Sequence, residues 1–380
     1  MIDFLVVGAG NIGSTTAYYL FEKGYNIVVV DRDPGKIRRI RERIGLQAVK
    51  ASIGSDEYFK LVSRSRIVVL ALPSTIGYRA LKETIEAGAR KIVDVSFMPE
   101  NPLTLNGYAK EKNSTVIVDA GLAPGLSNLF IGYAYGQLDT VREAVVYVGG
   151  IAEDPECPLG LAGTWNTRDL LEEYIRPARI VVEGEVKSID PLSEYGETHI
   201  PGIGVFEYFP SDGLRTMLET LKPLPQFMAE YTLRWPGHIE VMKKLRDLGF
   251  LEPIGVRIGL CETDAIEYTA TILASKLVEC QRDRVVMYVD VIGGKNNKRI
   301  EYELILDQPY DTVKQITAMA KTTSTTQACT AIQLLEEKIR VDQGINAMET
   351  IGLDKENYKS IMECIRGEIE NIHTYTRIEE

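Results

Sequence analysis

Phe4-Leu5-Val6-Val7-Gly8-Ala9-Gly10-Asn11-Ile12-Gly13, followed by Ile27-Val28-Val29-Val30-Asp31, decides the fold. Four apolar residues in a row lack the alternation of a half-exposed strand and read as a strand buried on both faces. The glycines turn the chain into a helix with Ala17, Leu20 and Phe21 on its apolar stripe, and Gly24 ends it. A second buried strand stops at an acid. Strand, GxGxxG, helix, strand and acid in that order form the fingerprint of a dinucleotide site. Gly8 makes the tight turn, Gly10 lets the backbone approach a pyrophosphate, and Gly13 lets helix and strand pack closely. The first helical amides, at Asn11 and Ile12, meet the negative charge. Asp31 lies 21 residues after Gly10 and accepts from the ribose hydroxyls. Its carboxylate repels a 2′-phosphate and argues for NAD, whereas Arg32 beside it leaves NADP open.

The same rhythm continues outward. Arg66–Leu70 reads as a buried strand running into Ala71-Leu72-Pro73-Ser74, and Leu72 and Pro73 are expected beside the nicotinamide. Strands follow at 91–96 and 115–119. They place Asp94 and Asp119 at strand C-termini, where open α/β sheets bind ligands. The fold class is α/β, with an N-terminal Rossmann dinucleotide-binding domain and an α+β substrate domain. The boundaries expected are 1–125 for the Rossmann domain and 126–310 for the second domain. Helices over 311–350 are expected to return to the first domain, and 351–380 reads as an acidic helical tail. The hydroxyl run Thr322–Thr326 is expected to kink a long helix over 311–339.

Composition excludes several classes. The 380 residues carry 43 Lys and Arg against 54 Asp and Glu, a net charge of -11, which disfavours a nucleic-acid partner. No apolar run is long enough to cross a membrane. Three His and five Cys without a CxxC pair supply a metal site poorly. The five cysteines do not form a secreted framework and Met1-Ile2-Asp3 passes straight into a strand without a signal-like segment, so a soluble protein of a reducing compartment, the cytoplasm, is expected.

Three polar clusters stand in the second domain: Thr164-Trp165-Asn166-Thr167-Arg168-Asp169, Ser211-Asp212-Gly213-Leu214-Arg215 and Arg234-Trp235-Pro236-Gly237-His238. An aromatic wall with convergent Arg and Asp suits a small amino-acid substrate. Arg168 or Arg215 would grip its carboxylate as a fork, and Trp165 would form the wall. Asp94 or Asp212 would orient the amine. His238 is the general-base candidate, since its unshifted pKa lies nearest neutrality; Lys321 or a carboxylate such as Asp94 is the alternative.

These segments, with Val93-Asp94-Val95-Ser96-Phe97-Met98-Pro99-Glu100 and Asp119-Ala120-Gly121-Leu122-Ala123-Pro124-Gly125-Leu126-Ser127-Asn128, resemble the saccharopine dehydrogenase-like family, and within it the lysine 6-dehydrogenase type. The resemblance implies oxidation at a carbon bearing an amine: NAD accepts hydride from C6 of L-lysine, and imine hydrolysis gives allysine, which cyclises. It implies no metal, a small amino-acid substrate and a homodimer built through the second domain, which is thereby a substrate and dimerisation domain. A saccharopine or carboxynorspermidine dehydrogenase reaction stays open, as does a dinucleotide sensor or scaffold without chemistry. The family's hydroxyl-rich segment resembles Met319–Thr326, with Lys321 where Arg is usual. Its Gly-x-x-x-Pro-Pro-Glu stretch is replaced by Gly344-Ile345-Asn346-Ala347-Met348-Glu349-Thr350, without the prolines.

Overall fold

The computed structural model describes residues 1–164, 166–259 and 261–379. The chain divides into two compact units. The first comprises Met1–Gln137, Arg215–Lys222 and Ala320–Glu370; the second comprises Leu138–Leu214, Pro223–Met319 and Asn371–Glu380.

The first unit is built on a seven-stranded sheet whose strands all run parallel. From edge to edge the order is Gly344–Ala347, Thr115–Val118, Lys91–Asp94, Ser65–Leu70, Ile2–Val7, Ile27–Asp31 and Gln47–Lys50. Phe4, Leu5, Val6, Val28, Val29, Ile67 and Val68 are buried at 0–1% exposure, as helices on both faces of a parallel sheet require. Strand order reverses beside Ile2–Val7, and that reversal opens the ligand crevice at the strand C-termini.

Two expectations about the late chain change. The helix Ala318–Leu335 runs unbroken through Thr322–Thr326. Two of its hydroxyls bond locally or to a neighbour rather than opening the helix, while Thr325 Oγ1 is buried with no partner among the described residues. Thr326 Oγ1 donates to the Thr322 carbonyl at 3.0 Å, and Ser324 Oγ donates to the Ile12 carbonyl at 2.9 Å. Gln327, fully buried, accepts from Thr16 Oγ1 at 2.9 Å and donates to the Leu70 carbonyl at 2.7 Å. The tail is not wholly helical: Lys355–Arg366 is a helix, but Ile372–Glu379 is a strand in the second unit. Ile372-His373-Thr374-Tyr375-Thr376 favours a strand through its β-branched and aromatic residues, and the acidic count hid that. The first unit also keeps the helix Leu126–Gln137 and reclaims Arg215–Lys222, so its boundary lies beyond residue 125.

The second unit carries a nine-stranded mixed sheet whose main path is Gly196–Ile200, Gly204–Ser211, Phe227–Arg234, Thr140–Ala152, Asp283–Lys295, Lys298–Pro309 and Ile372–Glu379. Leu161, Leu170, Leu171, Tyr174, Phe209, Ile239, Met242 and Ile266 form a buried core with its helices.

Four of the cysteines pair, which runs against the reducing-compartment expectation. Cys157 is bonded to Cys280 and Cys329 to Cys364. Their separations of 123 and 35 residues exceed any local motif, so sequence spacing did not expose the pairs. The cytoplasmic expectation loses one of the premises it rested on. Among the described residues no helix is long and apolar enough to cross a membrane, and no cluster of His, Cys, Asp and Glu could hold a metal.

Candidate functional site

The glycine turn is fixed by contact. Gly8 has φ 104°, and a Cβ there would lie 2.2 Å from the Ala71 carbonyl oxygen. A Cβ on Gly13 would lie 2.0 Å from the Gly8 carbonyl oxygen. Gly10 differs: a Cβ on it would meet nothing within 4 Å, and no side chain caps the helix Asn11–Glu22 that it precedes. An open approach to a helix start whose amides need acceptors suits a pyrophosphate. Asn11 and Ile12 begin that helix.

Asp31 is held in place by backbone: Ala9 N–H donates to Oδ2 at 2.8 Å and Asp33 N–H to Oδ1 at 2.9 Å. It borders a cavity of about 300 Å³ with Arg32, Lys36, Leu72, Pro73 and Arg79. Lys36 Nζ stands 3.8 Å from Asp31 Oδ2. The acid suits ribose hydroxyls and the cations suit an added phosphate, so these residues fit NAD and NADP alike.

The adjoining strand ends bring Asp94, Asp119 and Arg215 together. Asp94 is fully buried at the end of Lys91–Asp94. Its Oδ1 accepts from Ser96 N–H at 2.9 Å, and its Oδ2 has no partner among the described residues. Burial pushes its pKa up to about 7; the Asp119 charge adds to this, and the Ser96 hydrogen bonds and Arg215 oppose it. The Leu72 N–H reaches Ser96 Oγ at 3.4 Å, so this carboxyl adjoins the Leu72-Pro73 loop. Asp119 Oδ2 accepts from Arg215 Nε at 3.0 Å, while its buried Oδ1 has no partner among the described residues. Arg215 Nη1 donates to the Met98 carbonyl at 2.7 Å, and its guanidinium lies 4.7 Å from the Phe97 ring centroid. Asp119 and Arg215 hold left-handed backbone, with φ 54° and 44°. Such strain costs about 1–3 kcal/mol per residue and gathers at functional sites. Phe97 and Met98 were not singled out from sequence as site residues; their signal was their place just past a strand end.

The other candidates have surroundings of their own. His238 is buried in the second unit. Its Nδ1 donates to the Leu159 carbonyl at 2.7 Å, so its Nε2 accepts from Tyr174 Oη at 2.8 Å. Tyr174 Oη accepts in turn from Arg234 Nε at 2.8 Å, and Arg234 Nη2 bonds Glu173 at 2.7 Å. Burial, with the Arg234 charge, drives the His238 pKa down to about 3. With both nitrogens committed, this imidazole has no lone pair for a substrate proton, and the general-base role does not fit it. Both Asp212 oxygens take Arg179, through Nε and Nη2 at 2.7 and 2.9 Å. Arg168 is spent on Glu172, at 2.9 Å from Nη2, and on Glu267 at 3.5 Å. Lys321 is half-buried near the start of the helix Ala318–Leu335. Trp165 lies outside the described residues. Trp235 donates from Nε1 to the Ala152 carbonyl at 3.0 Å and packs on Phe206.

The His238 chain yields a stability prediction. His238→Gln should leave the pH profile of turnover unchanged and cost about 1–3 kcal/mol through the unmet Tyr174 and Leu159 groups. The native histidine is neutral where the unfolded one takes a proton, so its contribution is present above about pH 6.5 and lost as pH falls toward 3. Thermal melts across that range should show a shallower acid slope in the variant; an altered kinetic pKa would restore the base role.

The Saccharopine dehydrogenase NADP binding domain model matches residues 4–117, and the Saccharopine dehydrogenase C-terminal domain model matches residues 121–370. The chain belongs to the saccharopine dehydrogenase family. As a saccharopine dehydrogenase-like protein it is an NAD(P)-dependent oxidoreductase acting on an amino-acid substrate. Among solved structures, it is similar to the apo saccharopine dehydrogenase (L-Glu forming) from Saccharomyces cerevisiae, at 18% identity and a TM-score of 0.78 over 100% of both chains. That likeness shows this saccharopine dehydrogenase-like fold. GenD2 from gentamicin A biosynthesis, in complex with NAD, matches at 12% identity and a TM-score of 0.42 over 100% of this chain and 96% of its own.

Proposed function

We propose that the protein oxidises L-lysine at C6, giving allysine and ammonia. The observation that supports this most is the buried pair Asp94 and Asp119, each with one carboxylate oxygen unpartnered among the described residues, Asp94 adjoining the Leu72-Pro73 loop through Ser96. NAD(P), when bound, supplies the hydride acceptor. A substrate ammonium has no lone pair to form the C=N bond, so a proton must leave it first. Asp94, its pKa raised to about 7 by burial, takes that proton near neutrality. Asp119, anchored by Arg215, offers Oδ1 to an N–H of the amine. Arg215 has Nε and Nη1 engaged and keeps Nη2 for the substrate carboxylate. As the C6–H pair of electrons departs, the nitrogen lone pair closes the imine. Water then adds to the carbon with Asp94 moving the proton, and ammonia leaves.

Purified protein with L-lysine and NAD or NADP should generate reduced cofactor, measured by absorbance, most strongly at about pH 9–10 where the free amine is plentiful. The name of the yeast relative makes saccharopine the second substrate to test. Turnover of saccharopine but not lysine would move the assignment to the larger substrate. No turnover on lysine, saccharopine or diamines with either cofactor would end it.

A further inference from the structure

Glu349 is the one acid of the replaced Gly-x-x-x-Pro-Pro-Glu stretch that the proposed reaction leaves without a task. It lies in the helix Met348–Gly352 and is fully buried. Among the described residues no cation balances it; its hydrogen-bonding partners are neutral. An unpaired buried carboxylate is costly, and such groups neutralise instead.

The hydrogen bonds locate the proton. Thr220 Oγ1 lies 2.9 Å from the Thr216 carbonyl oxygen and 2.6 Å from Glu349 Oε1. One hydroxyl hydrogen cannot serve both fully, and a carbonyl can only accept. A proton on Glu349 Oε1, donated to Thr220 Oγ1, satisfies both contacts and leaves the Thr220 hydroxyl for the Thr216 carbonyl. On the other side, Asn128 Oδ1 accepts from Gly125 N–H at 3.0 Å and from Ser127 Oγ at 3.1 Å. That fixes the amide orientation, so Asn128 Nδ2 donates to Glu349 Oε2 at 3.1 Å. One carboxyl thus carries two arms. One reaches, through Asn128, the turn that follows Asp119. The other reaches, through Thr220, the segment that begins with Arg215. The support is close-packed: a Cβ on Gly132 would lie 2.0 Å from the Glu349 carbonyl oxygen, and one on Gly352 would lie 2.1 Å from that of Leu129.

We infer that Glu349 is a protonated carboxylic acid that sets the spacing of Asp119 and Arg215 and so acts as a positioning residue for the substrate site. The kinetic part of this inference rests on the proposed amine oxidation; the conformational part does not.

Wild type, Glu349→Gln, Glu349→Ala and Thr220→Val are compared by hydrogen exchange and by kinetics. Gln can reproduce both arms, donating to Thr220 and accepting from Asn128. Glu349→Ala should speed exchange in residues 119–128 and 213–222 together, Thr220→Val in 213–222 alone, and Glu349→Gln in neither. With substrate, Glu349→Ala should lose about 10- to 100-fold in kcat/KM through misplacement of the pair. Its dinucleotide affinity should hold, and Glu349→Gln should remain near wild type. Equal losses in Gln and Ala, or a folded Ala variant with both segments still protected, would overturn the inference. If Glu349→Ala does not fold, normal protection of 213–222 in Thr220→Val overturns it. If wild type turns over no amine, the lysine assignment falls while the exchange result still decides this one.

Discussion

Asp94→Asn is expected to lose about 100- to 10,000-fold in kcat, the span general-base removal commonly costs. The amide keeps the shape of the side chain and can still accept from Ser96 N–H, so binding of the dinucleotide should be unchanged. The pH profile carries the sharper test. In the native protein kcat/KM should rise with pH through about 7 as Asp94 ionises. In Asp94→Asn that limb should vanish. Stability should move the opposite way. The folded pKa lies above the unfolded one near 3.8, so the native state binds the extra proton and loses stability as pH rises from about 4 to about 7. The asparagine variant escapes this loss and should melt higher than wild type at pH 8. A variant that kept its kinetic limb would clear Asp94 of the role, and one that melted lower would show the carboxylate to be a structural support.

Reduction of the two disulfides should produce the largest change in stability. A cross-link over loops of this size restricts the unfolded chain by about 4–5 kcal/mol in the chain-entropy picture, and measured values commonly run near 2–4 kcal/mol. Cys329 anchors the long helix that carries Ser324 and Gln327, and its bond to Cys364 ties it to the helix Lys355–Arg366. Loss of that tie should weaken the hold on Ile12 and Leu70 beside the glycine turn. Denaturant titrations with and without a reductant, and of Cys329→Ser/Cys364→Ser, should show a lowered midpoint. Coincident curves would mean that the thiols are unpaired in solution. Stable disulfides belong to oxidising compartments or to the cytosol of hyperthermophiles, so this result also bears on where the protein works.

The dinucleotide half of the site was legible because its constraints are local. Gly13 and Asp31 answer to contacts within one strand–helix–strand unit, and Gly8 takes its positive φ at the turn of that same unit, so their spacing states the geometry directly. Asp94 and Asp119 were readable as strand ends. The remainder depended on long-range pairing. Arg215 meets Asp119 across 96 positions, and Asn128 meets Glu349 across 221. Nothing local distinguishes that arginine from Arg168, which closes on its own helix neighbour Glu172. His238 misled for a related reason. Its chemistry suits a base anywhere, and only the Tyr174 and Leu159 contacts show that its nitrogens are taken. The disulfides failed by the same logic, since a Cys count says nothing about which distant pair will meet.

The strand Gly344–Ala347 has a consequence for biosynthesis. It pairs with Thr115–Val118, so the edge of the first sheet stays bare until about 230 more residues have left the ribosome. At about 5–20 residues per second that is roughly 10 to 50 seconds. During that interval Val116, Ile117 and Val118 present an unpaired, apolar border of the kind that recruits stray strands. The backbone passes between the two units at residues 137/138, 214/215, 222/223, 319/320 and 370/371, so neither can be excised as one continuous fragment. Nascent chains halted near residue 140 should therefore aggregate or hold a chaperone, whereas chains released after the late strand should not.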